Sequence, residues 1–165
     1  MTEAEKRRYR CCFTGHRPEK LQSSEEVVKA ELEQAIRQAI ADGFKVFLSG
    51  MARGVDLWAA EIVLSLRDAG LPVKLICACP YYGMEQSWEP HWQQKYRTVL
   101  QRADLIRFLC PDYHPSCFQI RNQWMVDHSA RVIVVFHGSK DGTKNTIDYA
   151  RKNRIPVIIL ADKTR

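Results

Sequence analysis

Short apolar runs recur along the chain at Tyr9–Thr14, Lys45–Ser49, Val73–Ala78, Leu105–Leu109, Arg131–Phe136 and Pro156–Leu160. They are continuous rather than alternating, and three are rich in β-branched residues, as expected of strands covered on both faces. Between them lie stretches with helical period. Val27, Val28, Leu32, Ala35, Ile36, Ala39 and Ile40 follow a serine cap at Ser24 and stop near Gly43, which predicts an amphipathic helix marked at both ends. Val55, Ala59, Ile62, Val63 and Leu66 predict a second helix ending near Gly70. Tyr96, Val99 and Leu100 mark a third, Trp124 to His128 a fourth and Ile147 to Ala150 a fifth. Strand and helix alternate throughout, so the predicted class is α/β and Rossmann-like: a mostly parallel sheet of about six strands with helices on both faces.

A chain of 165 residues fits a single domain spanning 1–165. With 45% hydrophobic and 27% charged residues it falls outside the composition of disordered chains. The charged start MTEAEKRRYR has no signal-peptide core, and no apolar run approaches the roughly 18 residues of a membrane span, so a cytoplasmic location with no membrane partner is expected. Of six cysteines, Cys11, Cys12, Cys77, Cys79 and Cys110 lie in or beside apolar runs, where a free thiol packs as a small hydrophobe. Cys110, His114 and Cys117 share one loop in a pattern that loosely resembles a metal site. No second cysteine pair completes the usual zinc spacing, and no metal is expected. The net charge of +6 favours anionic partners, but the cluster Lys6, Arg7, Arg8, Arg10 reads most simply as a solvated terminus.

Ligands of open parallel sheets bind beyond the carboxyl ends of the strands, so the chemistry is sought there. Thr14-Gly15-His16-Arg17-Pro18 follows the first strand, Ser49-Gly50-Met51-Ala52-Arg53-Gly54 the second and His137 to Thr146 the fifth. All three carry glycine, hydroxyl and cationic residues, the materials of an anion cradle, in which Arg53 would offer a fork to phosphate oxygens. Neither a G-x-G-x-x-G nor a Walker motif is present. After the third strand, the aromatics Tyr81, Tyr82, Trp88 and Trp92 could stack on a base or cap the core. Arg121 and Asn122, polar at a helix start, are candidates for ligand contact, whereas Trp124 and Met125 are expected to pack.

The segments FTGHRP, SGMARGVDLWAAE, RNQWMVDHS and GTKNTIDYA, in this order, resemble the YpsA-like family of the SLOG superfamily, which also contains DNA-processing protein A and the lonely-guy phosphoribohydrolases. The resemblance implies a Rossmann-like domain binding a nucleotide or nucleotide-derived ligand, and suggests a homodimer. It carries the family's glycine-rich loops onto Gly15, Gly50, Gly54 and Gly142-Thr143, and its polar loop residues onto Thr14, His16, Arg17, Ser49, Arg53, Asp56, Arg121, Asn122 and Thr146. The phosphoribohydrolases end a P-G-G-x-G-T-x-x-E motif with a catalytic glutamate. Here Lys144, Asn145 and Thr146 follow Gly142-Thr143 instead, and that carboxylate is missing.

Three readings follow. The favoured one is a binding domain, a sensor or regulator, for a nucleotide-derived ligand such as ADP-ribose or NAD, with Tyr81 among the base contacts and no cofactor assigned. The second is a hydrolase of an N-glycosidic or phosphate bond using Asp56 or Asp127 as the carboxylate and His16 as the acid–base group, with helix capping as the simpler role for Asp56. The third is single-stranded DNA binding, which the basic charge and the likeness of SGMARGVD to the loop of DNA-processing protein A suggest.

Overall fold

A computed structural model describes residues 1–163. Strands β1 (Arg10–Gly15), β2 (Val46–Ser49), β3 (Lys74–Tyr81), β4 (Leu105–Cys110), β5 (Arg131–Phe136) and β6 (Val157–Ala161) form one sheet. Its order is β4-β3-β2-β1-β5-β6 and every neighbouring pair is parallel. The helices are α1 (Glu3–Arg7), α2 (Glu25–Ala41), α3 (Val55–Asp68), α4 (Pro90–Arg102), α5 (Cys117–Asp127) and α6 (Gly142–Lys152).

The continuous apolar runs conceal an alternation between two cores. Cys11 and Phe13, Phe47, Leu75 and Cys77, and Ile133 and Val135 join Leu32 of α2, Leu57 of α3 and Tyr96 of α4 on one face. Their neighbours Cys12, Leu48, Ile76 and Val134 turn to the other face, against Met125 of α5 and Ile147 of α6. Side chains of a strand alternate sides, and a strand with both sides covered shows no polar half. The aromatics after β3 close the first core: Trp88 meets Tyr96 edge-on at 5.5 Å and Trp92 lies 6.0 Å from Trp58, while Tyr82 stays exposed beside Phe108.

From β1 the chain steps outward through β2, β3 and β4, then returns to the opposite side of β1 for β5 and β6. The loops leaving β1 and β5 therefore diverge over a crevice at the carboxyl edge, the place where open α/β sheets bind ligands.

Three features differ from the pattern-based expectation. The terminus is not simply solvated: it forms α1, and Arg7 donates to the carbonyls of Ser129 (3.0 Å) and Val126 (3.2 Å) at the end of α5, where a cation complements the helix dipole. Strand β3 runs through Pro80 to Tyr81, opposite Cys110, whereas the proline had ended the apolar run. Helix α5 begins seven residues before Trp124, because Gln119, Arg121, Asn122 and Gln123 mask its period. At the far side of the sheet, Asp162 accepts the N–H groups of Gln22 (2.8 and 3.0 Å) and Ser23 (2.7 Å), tying the end of β6 to the segment ahead of α2.

Gly15 ends β1 against the first residue of α3, and a Cβ there would lie 2.6 Å from Val55 Cγ2. Gly15→Ala is expected to cost about 1–3 kcal/mol through overpacking. In a Val55→Ala background the same change should cost clearly less, since the two share one contact. Urea denaturation of the four chains checks this; an equal cost in both backgrounds would exclude the clash.

Candidate functional site

The β2–α3 loop is built around its own polar groups. Ser49 Oγ donates to the Asp56 carbonyl at 2.8 Å and accepts the Met51 N–H at 3.2 Å, and Asp56 Oδ2 accepts the Ala52 N–H at 3.3 Å. The turn needs left-handed backbone at Met51 (φ 64°) and Gly54 (φ 89°), and a Cβ on Gly54 would lie 2.9 Å from Pro18 Cδ. Arg53 sends its two terminal nitrogens to the Glu19 carboxylate at 2.9 and 3.3 Å, so its fork is occupied by the protein itself.

Over Gly50 two buried charges approach each other from opposite faces of the sheet. A Cβ on Gly50 would stand 2.8 Å from Arg121 Nη1 of α5 and 2.9 Å from Asp56 Oδ2 of α3. Arg121, only 4% exposed, donates through Nη1 to the Gly50 carbonyl and through Nε to Asn122 Oδ1 at 2.7 Å. Burial lowers the Arg121 pKa, the Asp56 charge opposes that, and the Arg17 charge adds to it. Burial likewise raises the Asp56 carboxyl, against the pull of Arg121, Arg17 and the Ala52 N–H.

At the mouth of the β1/β5 crevice, His16 Nε2 accepts the His137 N–H at 3.2 Å, which leaves the ring proton on Nδ1, donated to Asp141 Oδ2 at 2.8 Å. Its ring stacks 5.3 Å from Phe136. The other Asp141 oxygen accepts the N–H groups of Thr143 (2.9 Å) and Lys144 (3.4 Å), capping α6. Burial pushes the Asp141 carboxyl up, but the hydrogen bond from His16 and those from the two amides outweigh it and hold it below its usual value. In the loop read as material for an anion cradle, the Thr143 and Lys144 amides are thus engaged by Asp141.

The crevice holds about 250 Å³. Thr14 and Gly15 line it from β1, His16 and Arg17 from the residues just after, Ala52 from the β2–α3 loop, Asp56 from α3, Arg121 and Asn122 from α5, and Gly142 and Thr143 from α6. Lys20, Phe118 and Asp141, not singled out in the sequence, complete it. Asp141 was legible as the residue before a helical Gly-Thr; Phe118 was legible as a neighbour of Arg121 one turn earlier; nothing local marks Lys20. The Arg17 and Arg121 guanidiniums each lie 5.9 Å from the Phe118 ring centre, a cation–π arrangement that steadies both. An adjoining hollow of about 190 Å³ between α5 and α6 shares Phe118, Asn122 and Gly142 and adds Thr146, Asn145 and Tyr149. Larger hollows of about 710 and 550 Å³ lie at the amino ends of the strands and beside β6, away from these charges.

Ser49, Gly50 and Gly54 shape the loop beneath the crevice, and Arg53 is not among its lining residues. Tyr81 packs edge-on against Phe118 (6.0 Å) and Tyr113 (5.1 Å). Asp127 is not brought to the crevice: it ends α5, about 15 Å of helix beyond Cys117, and accepts the Tyr149 hydroxyl at 2.6 Å. His16, with both ring nitrogens engaged and its side chain buried, acts here as a strut between β1 and α6.

A family model described as the YspA SLOG family matches residues 11–156. A UPF0398 protein of Halalkalibacterium halodurans is 28% identical over 77% of this chain and 69% of the relative. The fold is similar to that of DNA processing protein A from Helicobacter pylori, described for its single-stranded DNA binding mode, with TM-score 0.67 and 18% identity over 98% of this chain and 68% of that one. It is also similar to DNA processing protein A from Streptococcus pneumoniae, with TM-score 0.62 and 16% identity over 92% of this chain and half of that one.

Because Asp141 is held below its usual pKa in the folded state, its contribution to stability is complete above about pH 4 and is lost as the pH falls through the folded value. Asp141→Ala should cost about 0.5–2 kcal/mol at pH 7, and the difference from the parent chain should shrink on acidification. Urea unfolding at several pH values reads this; a pH-independent difference would contradict it.

Proposed function

The chain belongs to the YspA SLOG family, and from that premise we propose that it binds a nucleotide or nucleotide-derived ligand in the β1/β5 crevice. The observation that carries this reading is the convergence of Arg17, Lys20 and Arg121 on one polar crevice at the sheet's reversal point. Beyond the effect of burial, the Arg17 charge lowers the proton affinity of the Arg121 guanidinium, and an anion placed between the two side chains relieves that repulsion. Phosphate occupies that end, and the sugar and base extend into the hollow beside Phe118, Asn145 and Tyr149. With the hollow included, the space falls in the range of about 300–1,000 Å³ typical of ligand sites. ADP-ribose and NAD are the first candidates, in a sensor or regulator. Leu105, Ile106 and Phe108, exposed on the edge strand β4, are the surface a second copy would cover in a homodimer.

A second reading, hydrolysis of an N-glycosidic or phosphate bond, is favoured by one observation. Asp56 lines the crevice with its carboxyl raised by burial, the condition of a group that exchanges protons. Single-stranded DNA binding ranks third, resting on the net charge and on what is described for the Helicobacter pylori protein.

Thermal-shift titration with ADP-ribose, NAD and AMP tests the first reading, since a ligand at a hundred times its Kd adds about 2.7 kcal/mol of stability. At least one should raise the Tm, and Arg17→Ala should weaken it roughly tenfold to a hundredfold. No shift at millimolar concentrations would sink the proposal. For the second reading, chromatography after incubation with AMP or NAD should show products that Asp56→Asn abolishes; turnover unchanged in that variant removes Asp56 from the chemistry.

A further inference from the structure

We propose that Cys110, His114 and Cys117 form a binding site for one thiophilic divalent cation, zinc above others. The strand β4 delivers Cys110 as its last residue, the loop Pro111–Ser116 carries His114, and α5 presents Cys117 as its first residue. The two sulfurs and an imidazole nitrogen all lie within 4.8 Å of one another. Tetrahedral zinc with Zn–S of about 2.3 Å places two sulfurs about 3.8 Å apart, so side-chain rotation suffices to close the set.

Several details fit ligation better than packing. All six cysteines are buried; Cys11, Cys12, Cys77 and Cys79 lie within the strands, as small hydrophobes do, while Cys110 and Cys117 share their neighbourhood with an exposed imidazole. Cys117 Sγ already accepts the His114 N–H at 3.2 Å, the type of outer contact that stabilises metal-bound sulfur. Its weak donation to the Asp112 carbonyl at 3.5 Å is the bond given up when the thiol proton leaves for solvent. Two thiolates balance the cation's charge, which makes burying the sulfurs as anions tolerable. Prolines at 111 and 115 stiffen the loop, and Tyr81 holds it from beneath through Tyr113 and Phe118. Thiolate with imidazole selects zinc over magnesium or calcium, and three protein ligands leave a fourth position for water or a ligand atom. A search for paired cysteines misses the site because C-x₃-H-x₂-C has a single arm on each side of the histidine.

The test is titration of the reduced full chain with Co²⁺ alone, followed by Zn²⁺. The expected result is thiolate-to-cobalt absorption with visible bands of tetrahedral intensity, saturating at one ion per chain and erased by zinc. His114→Ala, at an exposed position, should leave thermal unfolding of the metal-free chain unchanged and weaken binding at least about tenfold. Cys110→Ser/Cys117→Ser should abolish the charge-transfer band. Absence of that band in the parent chain, its persistence in the double variant, or unchanged affinity in His114→Ala would each overturn the proposal.

Discussion

A guanidinium moved out of water loses most of its hydration, and the protein must return an equivalent set of partners at that spot. For Arg121 those partners are the Asp56 charge, the Gly50 carbonyl and the Asn122 side chain, and they belong to both helical layers. Because α3 and α5 cover opposite faces, the pair reaches across the end of the sheet, and the path it takes passes through the space a side chain at position 50 would fill. The tight course of the β2–α3 loop, the left-handed Met51 and the Ser49 bonds follow from keeping that path open. The crevice is therefore lined by charges that the fold has already fixed.

A second tie acts at the sheet's reversal point. His16 joins the end of β1 to the cap of α6, and Asp141 divides its two oxygens between the imidazole and the helix amides. Lys20 Nζ stands 3.6 Å from the Asp141 oxygen that meets the imidazole, and the opposite side of the crevice is left to Arg17 and Arg121, both supported by Phe118. A carboxylate strut on one wall and arginines held by Phe118 on the other suit a ligand whose charge is concentrated at one end.

The layout was legible because both-face burial makes each strand a continuous apolar run and because glycine and hydroxyl residues collect where parallel strands end. Thr14, Arg17 and Gly142 could be placed on that ground, Arg121 as a polar residue at a helix start, and Asp56 through the family resemblance. What could not be read is which partner each polar group chooses. Arg53 looked available to an oxyanion until Glu19, distant in sequence, was found on its fork. Asp127 looked close to Arg121 along the chain but sits at the other end of the same helix. Arg7, counted as solvated, finds carbonyls more than a hundred residues away. Long-range pairing of this kind leaves no periodicity to detect.

The strand order has a bearing on how the molecule is made. The sheet's first strand in chain order, β1, takes an interior place, flanked by β2 on one side and by β5, which begins at Arg131, on the other. A nascent chain shorter than that carries β1 with one row of backbone amides and carbonyls uncovered, for as long as elongation takes to supply the missing neighbour. During that interval the growing polypeptide presents an adhesive flank to its surroundings.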